Sequence, residues 1–128
     1  MAQAGSLERL YQTYKDRVEF LLVYIREAHP GSVIALPTNN GEKELRIFPQ
    51  SATVADRLQN LRQFVALTKV TMPAVVDDEE GSVKGAYAAW PDRLYVVGVD
   101  GKIAYKGRQG PFGFRVPEVA DWLRENAR

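Results

Sequence analysis

The side chains best suited to chemistry lie in the stretch YIREAHP, residues 24–30. Glu27 and His29, the only histidine, follow an apolar run from Val18 to Ile25 that has the length of a strand covered on both faces. An imidazole can donate or accept a proton near neutral pH, and a nearby carboxylate fixes its tautomer. Because functional groups of open α/β sheets collect beyond the carboxyl ends of strands, both are candidate catalytic residues. The alternative is a solvent-facing histidine that ends a strand before Pro30.

Composition excludes several classes of site. The 128 residues include no cysteine and one histidine, which excludes disulfides, thiolate nucleophiles and cysteine zinc sites, so we expect no metal and no other cofactor. The net charge of +1 gives no reason to expect a nucleic-acid partner. No run approaches the roughly 20 apolar residues of a membrane span, and MAQAGSLERL does not resemble a signal peptide. We therefore expect a soluble, cytoplasmic protein of one domain, residues 1–128, without a membrane partner.

Hydrophobic periodicity predicts alternating helices and strands. Helical spacing marks residues 7–16, 53–69, 82–89 and the segment that starts at Pro117, and short apolar runs mark strands at 18–25, 73–77, 94–99 and 102–106. Asp100-Gly101 predicts a two-residue turn between the last two strands, and 31–50 is predicted to be an inserted hairpin or loop. Strands that are covered on both faces and separated by helices predict an α/β fold, a three-layer α/β/α sandwich.

Four pieces of the sequence together resemble the bacterial relatives of the iodothyronine deiodinases. They are YIREAHP, MPAVVDD, AAWPDRLYVVGVDGKIAYKGRQGPFGF and PEVADWL, in this order. The resemblance covers nearly the whole chain and implies a thioredoxin-like fold of the redoxin type, with thiol or selenol oxidoreductase chemistry. It places Glu27 and His29 on the acid and the histidine that lie beside the family's nucleophile.

The resemblance also implies residues that bind a small aromatic or thiol substrate. Met72 and Pro73 fall where thioredoxin-like folds keep a cis proline, whose backbone pairs with an extended substrate, although a rigid turn is the alternative. Arg108 is the candidate basic residue of the glycine-rich loop 107–114, and docking of that loop onto the core is the alternative. Residues 77–80 lack the spacing of a calcium loop and are interpreted as a solvated acidic turn.

The predicted site depends on the convergence of distant residues. Because parallel strands place their carboxyl ends together, we expect Glu27, His29 and Pro73 to meet in one cleft.

The resemblance fails at the nucleophile. The family carries its cysteine or selenocysteine between a first strand and the first helix, whereas here MAQAGS leads directly into that helix. Arg26 also replaces a usual glutamate, and Pro49-Gln50 stands where animal members carry a second histidine. We therefore interpret the chain as a deiodinase-like domain that lacks its redox centre as given, either truncated at the N-terminus or redox-inactive. The alternatives are a binding or assembly module that uses the cleft near His29 and Pro73, and a non-thiol enzyme in which Glu27 and His29 form an acid-base pair.

The absent first strand has a structural consequence. In the thioredoxin arrangement it lies between the strands predicted at 18–25 and 73–77, and each buried backbone group left unpaired would cost about 1 to 3 kcal/mol. Three arrangements can satisfy these groups. The two strands can pair directly, the 31–50 hairpin can enter between them, or a second chain can supply strands. We favour a homodimer through the exposed edge of residues 18–25.

The 128-residue chain is expected to show no thiol reductase or deiodinase turnover, because none of its side chains can form a mixed disulfide or a selenenyl intermediate. Insulin reduction and iodothyronine deiodination by the purified protein measure this. Turnover above the rate of the buffer alone would contradict the expectation.

Overall fold

Helices and strands alternate along the described chain. The computed structural model describes residues 3–127, and for Ile34, Leu36 and Pro37 it describes the backbone alone. The helices are α1 (Ala4–Tyr14), α2 (Val54–Thr68), α3 (Ser82–Ala86) and α4 (Val116–Asn126). The strands are β1 (Leu22–Tyr24), β2 (Ser32–Pro37), β3 (Lys43–Phe48), β4 (Ala74–Val76), β5 (Tyr95–Val97) and β6 (Ile103–Lys106). Within residues 3–127, none of the helices is both long and apolar enough to cross a membrane.

The strands form three separate pairs. β1 and β4 are parallel, with Leu22 opposite Ala74 and Tyr24 opposite Val76, while β2–β3 and β5–β6 are antiparallel hairpins. The expected α/β class is confirmed, whereas the single sheet of a three-layer sandwich is not formed by the described strands. The reason is length: the apolar run 18–25 contributes a strand of only 3 residues, which offers few backbone groups for pairing. The thioredoxin-like assignment stays a prediction.

The two parallel strands leave no gap between them. The backbone N–H of Leu22 donates to the Pro73 carbonyl at 2.9 Å, and the N–H of Asp77 donates to the Tyr24 carbonyl at 2.9 Å. Of the three arrangements considered above, direct pairing within the chain is therefore the one that forms. A homodimer through residues 18–25 stays a prediction.

Two apolar clusters connect the β1–β4 and β5–β6 pairs to the helices. The first contains buried residues of α1 and α4, namely Leu10, Val116, Val119 and Leu123. The second contains Ala4, Val70 and Met72. Phe20 packs against both clusters, so the segment that leads into β1 joins them.

Local signals explain how two of the helices begin. The Thr53 side chain accepts a hydrogen bond from the backbone N–H of Asp56 at 3.1 Å, and this cap sets the start of α2 where the sequence predicted it. α1 begins at Ala4, before the predicted start at residue 7 and without a side-chain cap. Ala4 is buried in the second cluster, so packing supplies the stabilisation that a cap would give.

The β5–β6 hairpin forms as predicted, but its turn is wider than two residues. The N–H of Gly98 donates to the Lys102 carbonyl at 2.8 Å, and the Asp100 carboxylate accepts a bond from the Lys102 N–H at 3.1 Å. Only Gly101 of this turn takes a positive φ, of 80°. The Asp100 side chain therefore closes the loop, whereas the tight turn would need positive φ at both Asp100 and Gly101.

The Met72–Pro73 peptide bond is trans, which corrects the expected cis bond. Cis bonds of the described chain precede Pro91 and Pro111 instead. The Pro73 carbonyl is already the first acceptor of the β1–β4 pair, so the chain enters β4 directly and no turn is needed at this position.

Leu123→Ala is expected to lower the free energy of unfolding by about 2 to 5 kcal/mol, because Leu123 is 1% exposed and its loss leaves a cavity between α1 and α4. Urea denaturation measures the change. Val99→Ala is the control, since Val99 is exposed and its loss should stay within about 0.5 kcal/mol. Equal effects of the two variants would contradict the assignment of this core.

Candidate functional site

Glu27 is buried just beyond β1, and both of its carboxylate oxygens accept hydrogen bonds from Ser51. Oε1 accepts the backbone N–H of Ser51 at 2.6 Å, and Oε2 accepts the Ser51 hydroxyl at 3.0 Å. The same hydroxyl accepts a hydrogen bond from Nε of Arg57 at 3.0 Å. Ser51 thus lies between a buried carboxylate and a buried guanidinium and joins the end of β1 to the segment between β3 and α2.

Arg57 extends this network to the end of β4. Its Nη1 donates to the Asp78 carbonyl at 2.5 Å and to the Asp77 carbonyl at 3.4 Å. Arg57 is 4% exposed, so its charge needs these acceptors to offset the loss of hydration. The carboxyl ends of β1 and β4 are held together by polar contacts.

The Asp77 side chain corrects the interpretation of 77–80 as a solvated turn. Asp77 is 1% exposed, and its carboxylate accepts the backbone N–H groups of Val83 and Lys84, each at 2.9 Å. These donors belong to the first turn of α3, where a carboxylate also complements the helix dipole. The interpretation holds for the other three residues of the stretch, which are exposed.

His29 is exposed, and its imidazole forms no hydrogen bond or ion pair with Glu27. The His29 carbonyl accepts the Ser32 hydroxyl at 2.7 Å, which fixes the backbone at the start of β2. The acid-base pair predicted from the sequence is not assembled, because the carboxylate is turned towards Ser51. The imidazole is left at the surface, where it can exchange protons with a ligand or with solvent.

Pro73 and Met72 do not join this region, so the expected convergence on one cleft is wrong. β1 and β4 are parallel, and Pro73 lies at the amino end of the pair whereas Glu27 and His29 follow its carboxyl end. The sequence argument applied the rule for carboxyl ends to a residue that precedes its strand. Met72 is buried in the second apolar cluster and has a packing role.

Arg108 is exposed in the loop after β6. The loop itself is held by its neighbours, because Nε2 of Gln109 donates to the carbonyls of Ala88 and Trp90 at 2.9 and 3.1 Å. Phe114 packs against the first cluster, while Phe112 is 94% exposed, so docking of the loop onto the core is confirmed for only one of its two phenylalanines. A role of Arg108 in binding stays a prediction.

Two titratable side chains were missed by sequence reasoning. Burial, and after it the neighbouring Glu27 carboxylate, raise the pKa of the Tyr24 hydroxyl above its usual range. Burial also raises the pKa of the Asp92 carboxyl, whose Oδ1 has no hydrogen-bond partner. Tyr24 could have been found as the one hydroxyl within the apolar run 18–25. Asp92 gave no signal in the sequence, because the residue that covers it, Gly110, belongs to a different segment. A Cβ atom at Gly110 would lie 1.5 Å from Oδ1 of Asp92.

Comparison with known proteins identifies the family. A sequence model of the iodothyronine deiodinase family matches residues 1–127. The chain belongs to the iodothyronine deiodinase family. It is 34% identical to thyroxine 5-deiodinase of Homo sapiens over 123 residues, which are 96% of this chain and 38% of the human protein. It is also 32% identical to type I iodothyronine deiodinase of Xenopus laevis over 121 residues, 94% of this chain and 45% of that protein.

The family assignment confirms the central part of the resemblance. With thyroxine 5-deiodinase of Sparus aurata the chain shares 31% identity over 125 residues, 98% of its own length and 44% of the relative. The chain thus spans less than half the length of these deiodinases. The bacterial origin and the redoxin type stay predictions.

Glu27→Gln is expected to lower the free energy of unfolding by about 1 to 3 kcal/mol, because an amide offers one acceptor oxygen where the buried carboxylate accepts two bonds. His29→Gln should change it by less than about 0.5 kcal/mol, since the imidazole is exposed. Urea denaturation compares the two. A larger loss at His29 than at Glu27 would overturn the division into a structural acid and a free imidazole.

Tyr24 should make stability depend on alkaline pH. Its pKa is raised in the folded protein, so above about pH 10 the unfolded chain releases this proton while the folded chain retains it, and stability falls as pH rises. Tyr24→Phe should reduce the loss of stability between about pH 8 and about pH 11. Tyr87→Phe, at an exposed position, is the control. Identical pH profiles of the wild type and Tyr24→Phe would refute this role.

Proposed function

We propose that this chain forms the histidine-bearing wall of a deiodinase-type site, at which an aromatic carbon–iodine bond is reduced by thiol or selenol equivalents. Family membership over residues 1–127 supports the reaction class. The observation that carries the proposal is the placement of His29, whose exposed imidazole follows the carboxyl end of β1 on a backbone anchored by the buried Glu27 carboxylate. Glu27 positions the segment, and His29 moves the proton.

The reaction balances with two thiols for each iodide released. The aryl C–I bond breaks and an aryl C–H bond forms, iodide leaves, and two thiols are oxidised to one disulfide with release of a proton. His29 in its neutral form can take the proton of the attacking thiol or selenol, and as the imidazolium it can deliver a proton to the ring carbon. The 128 residues contain no cysteine, so the thiol or selenol comes from outside them.

The substrate class is an iodinated phenyl ether of the thyronine type. The relatives named above are thyroxine and iodothyronine deiodinases, and we extend this class of substrate to the present chain. Within the proposal, the strand that carries the nucleophile completes a thioredoxin-like sheet, and Arg108 interacts with the substrate. A homodimer is the proposed assembly.

The proposal predicts that the 128-residue protein binds thyroxine at His29 even without turnover. The chain has a single histidine, so its imidazole resonances in an NMR spectrum report on this position alone. Thyroxine should shift them saturably, and His29→Gln should weaken thyroxine binding by about fivefold, the loss of an exposed polar contact.

Arg115→Gln is the matched control, since Arg115 is an exposed cation next to α4. Imidazole resonances that stay unmoved at saturating thyroxine would refute a substrate site at His29.

A further inference from the structure

Two cations and an indole ring line a small cleft beyond the carboxyl ends of β1 and β4. Arg26 follows β1, Lys84 belongs to α3, and Trp90 follows α3. The cleft has a volume of about 280 Å³, and these three side chains line it. Neither cation was singled out as a binding residue by the sequence, in which Arg26 was only a departure from the family motif.

The two cations of the cleft are in no ion pair with the residues that the structure describes. The ion pairs found between residues 3 and 127 join other side chains, and neither Arg26 nor Lys84 takes part in them. Asp77, the buried acid of the segment before α3, uses its carboxylate on the backbone N–H groups of the helix. A ligand with an anionic group can therefore be met by two free cations of different geometry.

The backbone that carries the indole ring is held in place before any ligand arrives. The loop that carries Trp90 is fixed by its own carbonyl groups: Gln109 donates to the carbonyls of Ala88 and Trp90, and Nη1 of Arg93 donates to that of Ala88 at 3.1 Å. Trp90 is nevertheless 45% exposed, so its indole ring is open to a ligand. Preorganisation of this kind lowers the entropy cost of binding.

We propose that Arg26, Lys84 and Trp90 form a binding site for a small, single-ring aromatic carboxylate. The ring stacks on the indole face, and the carboxylate interacts with the guanidinium and the ammonium. The volume sets the size of the ligand, because about 280 Å³ lies just below the range of sites that hold drug-sized molecules. Binding needs no thiol and no redox step, so it does not depend on the proposed deiodination.

A second cleft of the molecule lacks the combination of two cations and an aromatic ring. It has a volume of about 380 Å³ between α1 and α4, is larger, and contains Arg9 as its one cation and no aromatic side chain. The guanidinium of Arg9 already contacts the Ser6 hydroxyl at 3.2 Å. Arg9→Gln therefore removes the same charge from the protein without touching the proposed site, and it serves as the matched control.

The test is a titration of the 128-residue protein with benzoate, followed by the indole N–H resonance of Trp90 in an NMR spectrum. Benzoate should shift this resonance saturably, while benzamide, acetate and inorganic phosphate should bind at least about fivefold more weakly, since each lacks the charge or the ring. Arg26→Gln and Lys84→Gln should each weaken benzoate binding by about fivefold, and Arg9→Gln should leave it unchanged. Raising the salt concentration from about 0.02 M to about 0.15 M should also weaken binding.

Three results would overturn the proposal. The first is a shift that does not saturate, which means that benzoate has no site. The second is an equal loss of affinity in Arg9→Gln, which makes the effect one of net charge. The third is equal binding of phosphate, which removes the role of the ring. Because all three substituted cations lie on helices or loops outside the buried core, circular dichroism melts that match the wild type confirm that the variants fold.

Discussion

The hydroxyl of Ser51 lies between the Glu27 carboxylate and the Arg57 guanidinium, and the region around the candidate site depends on this buried contact. It brings together three segments that are far apart in sequence: the end of β1, the start of α2, and the end of β4 through the carbonyls that Arg57 binds. A buried charge without a partner is costly. Displacing any one of these segments would leave polar groups of the others without hydrogen bonds, so the three segments hold one another in place. Two parallel strands of 3 residues each would have little stability without such support.

This use of Glu27 changes how the motif YIREAHP is understood. An acid two residues before a histidine suggests a catalytic pair, yet here the acid is committed to the backbone and hydroxyl of Ser51 and the imidazole is exposed. The acid anchors the segment that carries the histidine, and the histidine side chain stays at the surface. The same network fixes the chain next to Arg26, which directly precedes Glu27 and lines the cleft together with Lys84 and Trp90.

Much of the local structure could be predicted because its causes are local. Thr53 caps α2 through a bond to the third residue after it, and the turn formers between β2 and β3 open a hairpin in the predicted segment. The candidate site was harder, because Glu27 and Ser51 are 24 positions apart and nothing in either stretch signals their contact. Pro73 was assigned to the wrong end of the strand pair, because the rule for carboxyl ends was applied to a residue that precedes its strand.

Sequence alone determined the composition, the pattern of apolar residues and the family motifs, and with them the α/β class, the absence of a cysteine nucleophile from these 128 residues and the relation to the deiodinases. These follow from residue types and short spacings. Only the tertiary structure decided that β1 pairs directly with β4, that Glu27 and Asp77 are buried as acceptors of hydrogen bonds, and that Asp92 is covered by Gly110. Burial and pairing depend on which distant segments meet, and this depends on contacts and hydrogen bonds summed over the whole chain, which no short stretch contains.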